Sequence, residues 1–227
     1  MTATNRRVLL KSRPQGEPNQ ANFDIVDAPI PEPGDGEYLS RTIWLSLDPY
    51  MRGRMAETKG YAANVNLGDA MVGGTVGQVI KSKNPRFKEG DYVVEYAGWQ
   101  SHAVSNGAMS MKLDPGAAPL STALSVLGMP GMTAWWGLMQ IGKPRAGETV
   151  VVSAASGAVG SVVGQLAKVH GCRAVGIAGG KDKCDYVMKE LGFDACLDHR
   201  DLDLAAKLKD ACPKGIDVYF ELSLIHI

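Results

Sequence analysis

The feature that most constrains the fold is a regular alternation of strand and helix patterns after residue 148. Thr149–Ser153 is a continuous valine-rich run, as expected for a strand buried on both faces of a parallel sheet. Val159, Val162, Val163 and Leu166 follow at i, i+3, i+4 and i+7, which is the spacing of an amphipathic helix. The segment therefore predicts a strand that leads directly into a helix.

The same alternation continues to residue 221. The further predicted strands are 173–178, 195–197 and 216–221, and the further predicted helices are 183–191 and 201–212. Strands and helices that alternate at this spacing form βαβ units around a parallel sheet. The fold class predicted for this part is α/β, with a doubly wound sheet.

The first half of the chain has a different texture. Up to about residue 115, short alternating runs are separated by turns rich in proline and glycine, which predicts a small β-barrel or sandwich. The predicted strands are 6–11, 22–27, 37–47, 75–81 and 91–96. Helical spacing then appears at 119–127 and 133–141, and the segment Gly128–Gly131 is predicted to separate the two helices. We therefore predict one domain over residues 1–118 and a second over 119–221.

Composition and charge argue against several classes of protein. The 24 basic and 24 acidic side chains give a net charge of zero, so nothing favours binding to nucleic acid. No apolar run approaches the roughly 20 residues that span a bilayer, and the apolar run near the N-terminus is too short for a signal peptide. We expect a cytoplasmic protein without a membrane partner. The four cysteines include no Cys-x-x-Cys pair, so we expect free thiols.

The glycine-rich turn after the first α/β strand carries the chemistry. Ala155, Gly157 and Gly160 occupy the three positions of a dinucleotide-binding fingerprint, with alanine in place of the first glycine. Gly157 would let the backbone approach a pyrophosphate, and Gly160 would let the helix pack against the strand. The helix N-terminus offers free N–H groups to phosphate. The alternative is a tight turn with a purely structural role.

The end of the second strand indicates which dinucleotide is bound. An NAD site places an acidic residue about 20 residues beyond the glycines, on the ribose 2′-hydroxyl. Here the chain reads Ala178-Gly179-Gly180-Lys181-Asp182-Lys183, so no acid ends the strand and two lysines are near. This pattern favours the 2′-phosphate of NADP(H). The alternative is that both lysines are solvated residues at a helix start.

The sequence resembles a known family. Residues 155–168 resemble the cofactor loop of zinc-independent medium-chain dehydrogenases/reductases, and more narrowly that of the NADP-dependent alkenal/one oxidoreductases, which include the leukotriene B4 12-hydroxydehydrogenase and prostaglandin reductase group. The resemblance extends over about residues 6–221. The other stretches that carry it are Ser46–Met55, Val72–Gly77, Gly128–Ala134 and Gly192–Ala195.

The resemblance implies a GroES-like β-barrel substrate domain followed by a Rossmann domain. It implies that Gly157, Ala158, Val159 and Gly160 hold the pyrophosphate and that Lys183 binds the 2′-phosphate. His199 stands where the family has a cofactor-contacting tyrosine, and Thr133 stands on the nicotinamide side. Tyr50 matches a residue near the substrate, and its phenol can hydrogen-bond a carbonyl; a plain packed aromatic is the alternative reading of Tyr50.

The resemblance also bears on the reaction. Zinc-dependent relatives use a cysteine and a histidine as metal ligands, whereas this chain has Ser46 and Gly74 at the matching places, so we expect no metal site. The implied reaction is NADPH-dependent reduction of the carbon–carbon double bond of a small enone or enal, with the cofactor carrying the chemistry and no catalytic residue assigned. The alternatives are a quinone oxidoreductase and a non-catalytic nucleotide-binding fragment.

The C-terminal end departs from the family. A Rossmann domain has six strands in the order 3-2-1-4-5-6, and only four are predicted here. The family continues after Glu221 with Asn-Val-Gly-Gly, whereas this chain ends in Leu222-Ser223-Leu224-Ile225-His226-Ile227. We expect a C-terminally truncated chain with an aberrant tail over 222–227, unstable or inactive alone. The alternative is a genuine variant with a short apolar terminus. The full-length parent is expected to be a homodimer.

Overall fold

The computed structural model describes residues 4–57 and 62–222. The chain divides into two compact units, Met1–Leu124 and Ser125–Ile227. We refer to them as the first and the second unit and describe each by itself. Most of the predicted tail, residues 223–227, lies outside the described residues.

Antiparallel sheets build the first unit. A five-stranded sheet has the order β6-β3-β4-β5-β7, and β1 pairs with β2 in a second sheet. A short helix, α1 (Tyr50–Arg54), follows β3. The strands are β1 (Thr4–Leu10), β2 (Phe23–Pro29), β3 (Tyr38–Leu45), β4 (Thr75–Ser82), β5 (Tyr92–Glu95), β6 (His102–Ser105) and β7 (Met111–Leu113).

Five of these strands fall where the sequence predicts them, while β6 and β7 are additions. They have only four and three residues, which is too short for an alternating pattern to stand out. Both gain their hydrogen bonds at the edges of the sheet, where β6 pairs with β3 and β7 pairs with β5. Their existence depends on neighbouring strands more than on local propensity.

A parallel sheet forms the second unit. Its order is β10-β9-β8-β11, which corresponds to 3-2-1-4 in strand order along this unit and matches the first four strands of a Rossmann sheet. The strands are β8 (Thr149–Val152), β9 (Arg173–Ala178), β10 (Ala195–Asp198) and β11 (Val218–Phe220), and the helices between them are α3 (Gly160–Val169), α4 (Lys181–Lys189) and α5 (Leu204–Ala211). The predicted α/β class is thereby confirmed.

The core of the second unit lies between this sheet and its helices. All four residues of β8 are buried, which is why a run of three valines forms this strand. Val163 of α3 is fully buried against the same core. Gly164 lets Phe193 lie directly on α3, because a Cβ at Gly164 would overlap the phenylalanine ring. The predicted helix and strand patterns are therefore confirmed by their packing.

The helical segment before β8 differs from its prediction. Residues 119–127 form only a 3₁₀ turn over Leu120–Leu124, and α2 (Met129–Trp135) begins inside the segment predicted to separate two helices. A π-helical stretch, Trp136–Gly142, continues α2. Gly131 lies within α2 because a Cβ there would overlap the carbonyl of Val126. This glycine provides for close approach and does not break the helix.

Candidate functional site

The turn between β8 and α3 is tight and strained. Ala154 has φ of +47°, a left-handed conformation that costs a non-glycine residue about 1–2 kcal/mol. Its carbonyl oxygen accepts the N–H of Gly157 at 2.8 Å, while the N–H of Ala155 bonds Ile177 of the neighbouring strand at 3.0 Å. Ala155 is fully buried. The turn is thus fixed to the sheet on one side and open on the other.

Gly157 and Gly160 in this turn are glycine for different steric reasons. A Cβ on Gly160 would overlap the carbonyl oxygen of Ala154, so this position must be glycine for α3 to start where it does. A Cβ on Gly157 would lie 3.1 Å from the same oxygen, which is tight but not prohibitive. Gly157 and Ala158 are exposed, while Gly160 is buried. Gly157 therefore leaves surface free for a ligand, and Gly160 serves packing.

The first turn of α3 is a favourable place for an anion. Val159 is the N-cap residue and makes no side-chain capping bond. The N–H groups of Ser161 and Val162 already donate to the carbonyls of Gly157 and Val159, so the donors that this end of the helix offers to a ligand are those of residues 158–160. The helix dipole adds positive potential at this end. Ala158 and Val159 stand at the opening, and the first helical turn contains no acidic residue. The geometry fits the pyrophosphate of a dinucleotide, as the fingerprint predicts.

A second turn joins β9 to α4 through Gly179 and Gly180. Gly180 is the N-cap of α4 with φ of +91°, a conformation that favours glycine. Hydrogen bonds from the N–H groups of Gly180 and Arg200 hold the pKa of Asp198 below its usual value. Asp198 ends β10, so this carboxylate fixes the turn to the neighbouring strand.

The two lysines of this turn differ in their partners. Lys181 forms a salt bridge with Asp185 at 2.6 Å. Lys183 is exposed and makes no salt bridge among the residues that the structure describes. Of the two ammonium groups that the sequence offers, Lys183 is therefore the one whose charge is not already neutralised by a carboxylate.

His199 and Arg200 lie against the same turn. The backbone N–H of His199 donates to Ala178 at 3.0 Å, and its ring Nδ1 lies 3.1 Å from the same carbonyl oxygen. Ring atom Cε1 would be 2.8 Å from a Cβ on Gly179. Sequence reasoning singled out His199 but missed Arg200 and Asp198. The available signal was the run Asp198-His199-Arg200 directly after the third predicted strand.

Thr133 borders a cavity of about 510 Å³ in the second unit. Its hydroxyl donates to Met129 of the same helix at 2.8 Å, which leaves the oxygen able to accept another bond. The cavity has mainly apolar walls, formed by Met132, Thr133, Trp136, Gly137, Ile141, Gly142 and residues 218–222. A flat aromatic group of a ligand would find suitable contacts here.

Tyr50 belongs to the first unit, at the start of α1. It is partly buried and packs against the apolar cluster that includes Met51 and Met71. Ser46 and Gly74, which stand at the places of the zinc ligands in zinc-dependent relatives, lie beside each other in that unit, since the N–H of Ser46 donates to the carbonyl of Gly74 at 2.9 Å. Within residues 4–57 and 62–222 there is no group of three His, Cys, Asp or Glu side chains able to hold a metal ion.

The cysteines behave as the sequence predicts. Cys172, Cys184 and Cys212 are buried free thiols, and Cys196 is half-buried. Burial raises the pKa of the Cys172, Cys196 and Cys212 thiols, which disfavours the reactive thiolate at neutral pH. Among the helices of the described part, none is long and apolar enough to cross a membrane.

Comparison with protein families gives two matches in succession along the chain. Residues 6–113 match the family described as the N-terminal domain of oxidoreductase. Residues 158–226 match the family described as zinc-binding dehydrogenase. The order of the two matches follows the order of the two units.

Similar proteins with curated names are reductases. The NADPH-dependent curcumin reductase of Escherichia coli is 51% identical over 217 residues, covering 96% of this chain and 63% of the relative. Prostaglandin reductase 1 of Rattus norvegicus is 43% identical, covering 93% and 63%. The NADP⁺-dependent 2-alkenal reductase of Nicotiana tabacum is 40% identical, covering 96% and 65%. The chain thus spans less than two thirds of the length of these relatives.

Solved structures agree with these matches. CurA from Vibrio vulnificus in complex with NADPH is 50% identical, with a TM-score of 0.90 over 95% of this chain and 64% of that protein. The CurF ER cyclopropanase of the curacin A biosynthetic pathway is 21% identical with a TM-score of 0.77, which supports the fold alone. The predicted fold, a GroES-like domain followed by part of a Rossmann domain, is confirmed.

Proposed function

The chain belongs to the medium-chain dehydrogenase/reductase family, in its group of NADP-dependent alkenal/one oxidoreductases, and on that premise we propose its function. At the full length of its relatives, the protein reduces the carbon–carbon double bond of α,β-unsaturated ketones and aldehydes with NADPH. One observation carries the proposal: a glycine turn opens α3 beside a second turn that has cations and no strand-ending acid. We propose residues 1–118 as the substrate domain and 119–221 as the cofactor domain.

The cofactor fits the second unit at its two turns. Gly157, Ala158, Val159 and Gly160 surround the open N-terminus of α3, and this surface would be filled if Gly157 carried a larger side chain. The backbone N–H groups there bind the pyrophosphate and neutralise part of its charge. Lys183 binds the 2′-phosphate from the first turn of α4.

The remaining assigned residues orient the reactants. Thr133 offers its hydroxyl oxygen as an acceptor on the wall of the apolar cavity, at the nicotinamide side. Bound NADPH supplies the hydride that adds to the β-carbon of the enone. Tyr50 donates from its phenol to the substrate carbonyl oxygen, where negative charge develops as the enolate forms. Solvent or a hydroxyl group then supplies a proton to the α-carbon of the enolate.

The preference for NADPH over NADH has a physical basis in the second turn. The acidic residue that would bond the ribose 2′-hydroxyl of NAD is missing at the end of β9, where the chain reads Ala178-Gly179-Gly180. A phosphate at that place meets Lys183, which has no carboxylate partner within the part of the chain that the structure describes. The relatives named for NADPH or NADP⁺ dependence support the same assignment.

An isotope experiment tests the proposed reaction. The protein, extended to the full length of its relatives, is incubated with NADPH that carries deuterium at the transferable position of C4, together with a simple enone. We expect NADPH to be oxidised and the saturated ketone to carry deuterium at its β-carbon. Deuterium on a carbinol carbon would indicate carbonyl reduction instead. Turnover of a quinone in preference to the enone, or binding without oxidation, would also contradict the proposal.

The partners and the location follow from the same proposal. The substrate is a small apolar enone or enal, and neither nucleic acid nor a membrane is a partner. We place the protein in the cytoplasm, which suits the free thiols of the described residues. We propose that the longer protein of this family is a homodimer, which sedimentation of that protein would test.

A further inference from the structure

The guanidinium group of Arg200 lies over the glycine turn between β9 and α4. Its Nη2 atom is 3.6 Å from the point at which Gly179 would carry a Cβ, and Nη1 is 3.5 Å from the corresponding point of Gly180. No side chain from either glycine separates the cation from the turn. The space above these two glycines is therefore bordered by a planar cation with several N–H donors.

The charge of Arg200 remains available to another anion. Arg200 is exposed. Its guanidinium takes part in no salt bridge within the described ranges 4–57 and 62–222. Of the acids nearest in the sequence, Asp201 pairs with Lys207 at 2.9 Å, and Oδ1 of Asp198 accepts the backbone N–H of Arg200 at 3.1 Å. That carboxylate also accepts the N–H of Gly180. Asp198 therefore holds the backbone of the turn, while the guanidinium is left unbridged.

We infer that Arg200 is a specificity-determining residue that binds the 2′-phosphate of NADPH together with Lys183. The inference rests on the proposed function and deepens it by naming the group that distinguishes the two nicotinamide cofactors. Arginine suits this role because its fork of donors matches the geometry of phosphate oxygens. Lys183 approaches from the first turn of α4 and Arg200 from the loop after β10, so the phosphate is bound from two elements.

Gly179 is required for this arrangement because of His199. A Cβ on Gly179 would come within 2.8 Å of the His199 ring, and the ring would have to move away from the carbonyl of Ala178 that it contacts at 3.1 Å. His199 precedes Arg200 directly, so displacement of the ring disturbs the loop that carries the guanidinium. The Gly179→Ala variant thus tests the same inference without removing any charge.

The experiment measures affinity with two probes that differ in one phosphate. Isothermal titration of the full chain uses 2′,5′-ADP, which carries the 2′-phosphate, and 5′-AMP, which does not. The variants are Arg200→Gln, Arg200→Lys and Gly179→Ala. Lys189→Gln is the charge-matched control, because Lys189 lies at the other end of α4 and is bound to Asp185 at 3.1 Å. Thermal unfolding of each variant reports whether the fold is kept.

We expect Arg200→Gln to lower the affinity for 2′,5′-ADP by about 10- to 100-fold, the usual effect of losing a charged hydrogen-bond partner. The affinity for 5′-AMP should stay within about twofold of the wild-type value. Arg200→Lys should lose less affinity for 2′,5′-ADP than Arg200→Gln does. Gly179→Ala should lower the preference for 2′,5′-ADP over 5′-AMP. Equal effects of Arg200→Gln and Lys189→Gln would overturn the inference. So would equal losses for both probes, or a wild-type chain that binds neither.

The outcome is separable from the proposed reaction. A chain that binds 2′,5′-ADP through Arg200 but does not oxidise NADPH with an enone would contradict only the proposed reaction. A chain that reduces enones with NADPH while Arg200→Gln keeps full discrimination would contradict only the role of Arg200.

Discussion

We propose that the two turns of the second unit recognise a phosphate group by different physical means. The turn between β8 and α3 works through shape, because glycine lets backbone come close and the helix N-terminus supplies the donors. The turn between β9 and α4 works through side-chain charge, because its glycines leave room for cations from other elements. The first turn should therefore bind any dinucleotide, and the second should select among dinucleotides.

Gly160→Ala should have the largest effect, because it disrupts the shape-based turn itself. The new Cβ would overlap the backbone carbonyl of Ala154, and a backbone atom cannot rotate away as a side chain can. We expect a loss of about 2–3 kcal/mol in the free energy of unfolding, measured by urea denaturation, and loss of binding to both NADPH and NADH. A variant as stable as the wild type would show that α3 can shift freely.

Gly157→Ala should separate binding from stability at the same turn. Its Cβ would lie 3.1 Å from the Ala154 oxygen and would stand on the exposed side of the turn. We expect the free energy of unfolding to change by less than about 1 kcal/mol. The affinities for NADPH and NADH should both fall by about 100-fold, because the two nucleotides share the pyrophosphate. Fluorescence titration with each nucleotide measures this. A selective loss of NADPH alone would contradict the division of roles between the turns.

Lys183→Gln should affect only the charge-based turn. We expect NADPH affinity to fall by about tenfold, the effect of one lost charged partner, while NADH affinity and thermal stability stay unchanged. Raised salt should reduce the NADPH preference of the wild type, because Lys183 is exposed and its attraction is screened. Unaltered NADPH binding in the variant would mean that Lys183 is only a solvated helix-start residue.

Asp198→Asn should have the smallest effect, and one that depends on pH. Hydrogen bonds from Gly180 and Arg200 lower the pKa of Asp198 in the folded chain. The ionised carboxylate therefore stabilises the fold at pH values above its ordinary pKa of 3.8. That contribution is lost as pH falls through the lowered pKa. We expect wild type to be more stable than the variant at pH 7 and the difference to vanish in acid. A difference that persists at low pH would exclude this cause.

The sequence predicts most of the second unit because its signals are local. The valines of β8 and the helical spacing of α3 each report burial on a definite face. Gly131 was misinterpreted as a helix break, since its true reason is close contact with Val126, which no local pattern reveals. The strands β6 and β7 were not predicted for a similar reason, since they are defined by their pairing with neighbouring strands of the sheet.

The candidate site shows the same limit. Gly157 and Gly160 were found from spacing along one strand–helix junction, which is a local signal. Arg200 was missed because its proximity to Gly179 depends on how β10 lies beside β9, about 20 residues away in the sequence. Charge-based recognition is assembled from separate elements, so it is harder to predict from sequence than recognition by a single turn.

Selection of the 2′-phosphate by the turn between β9 and α4 is the proposal on which the other assignments depend. The most direct test titrates the wild-type chain with NADPH and with NADH under identical salt and pH, following nucleotide fluorescence. We expect NADPH to bind at least about tenfold more tightly than NADH, as one additional charged contact implies. Equal affinities for the two nucleotides would contradict it.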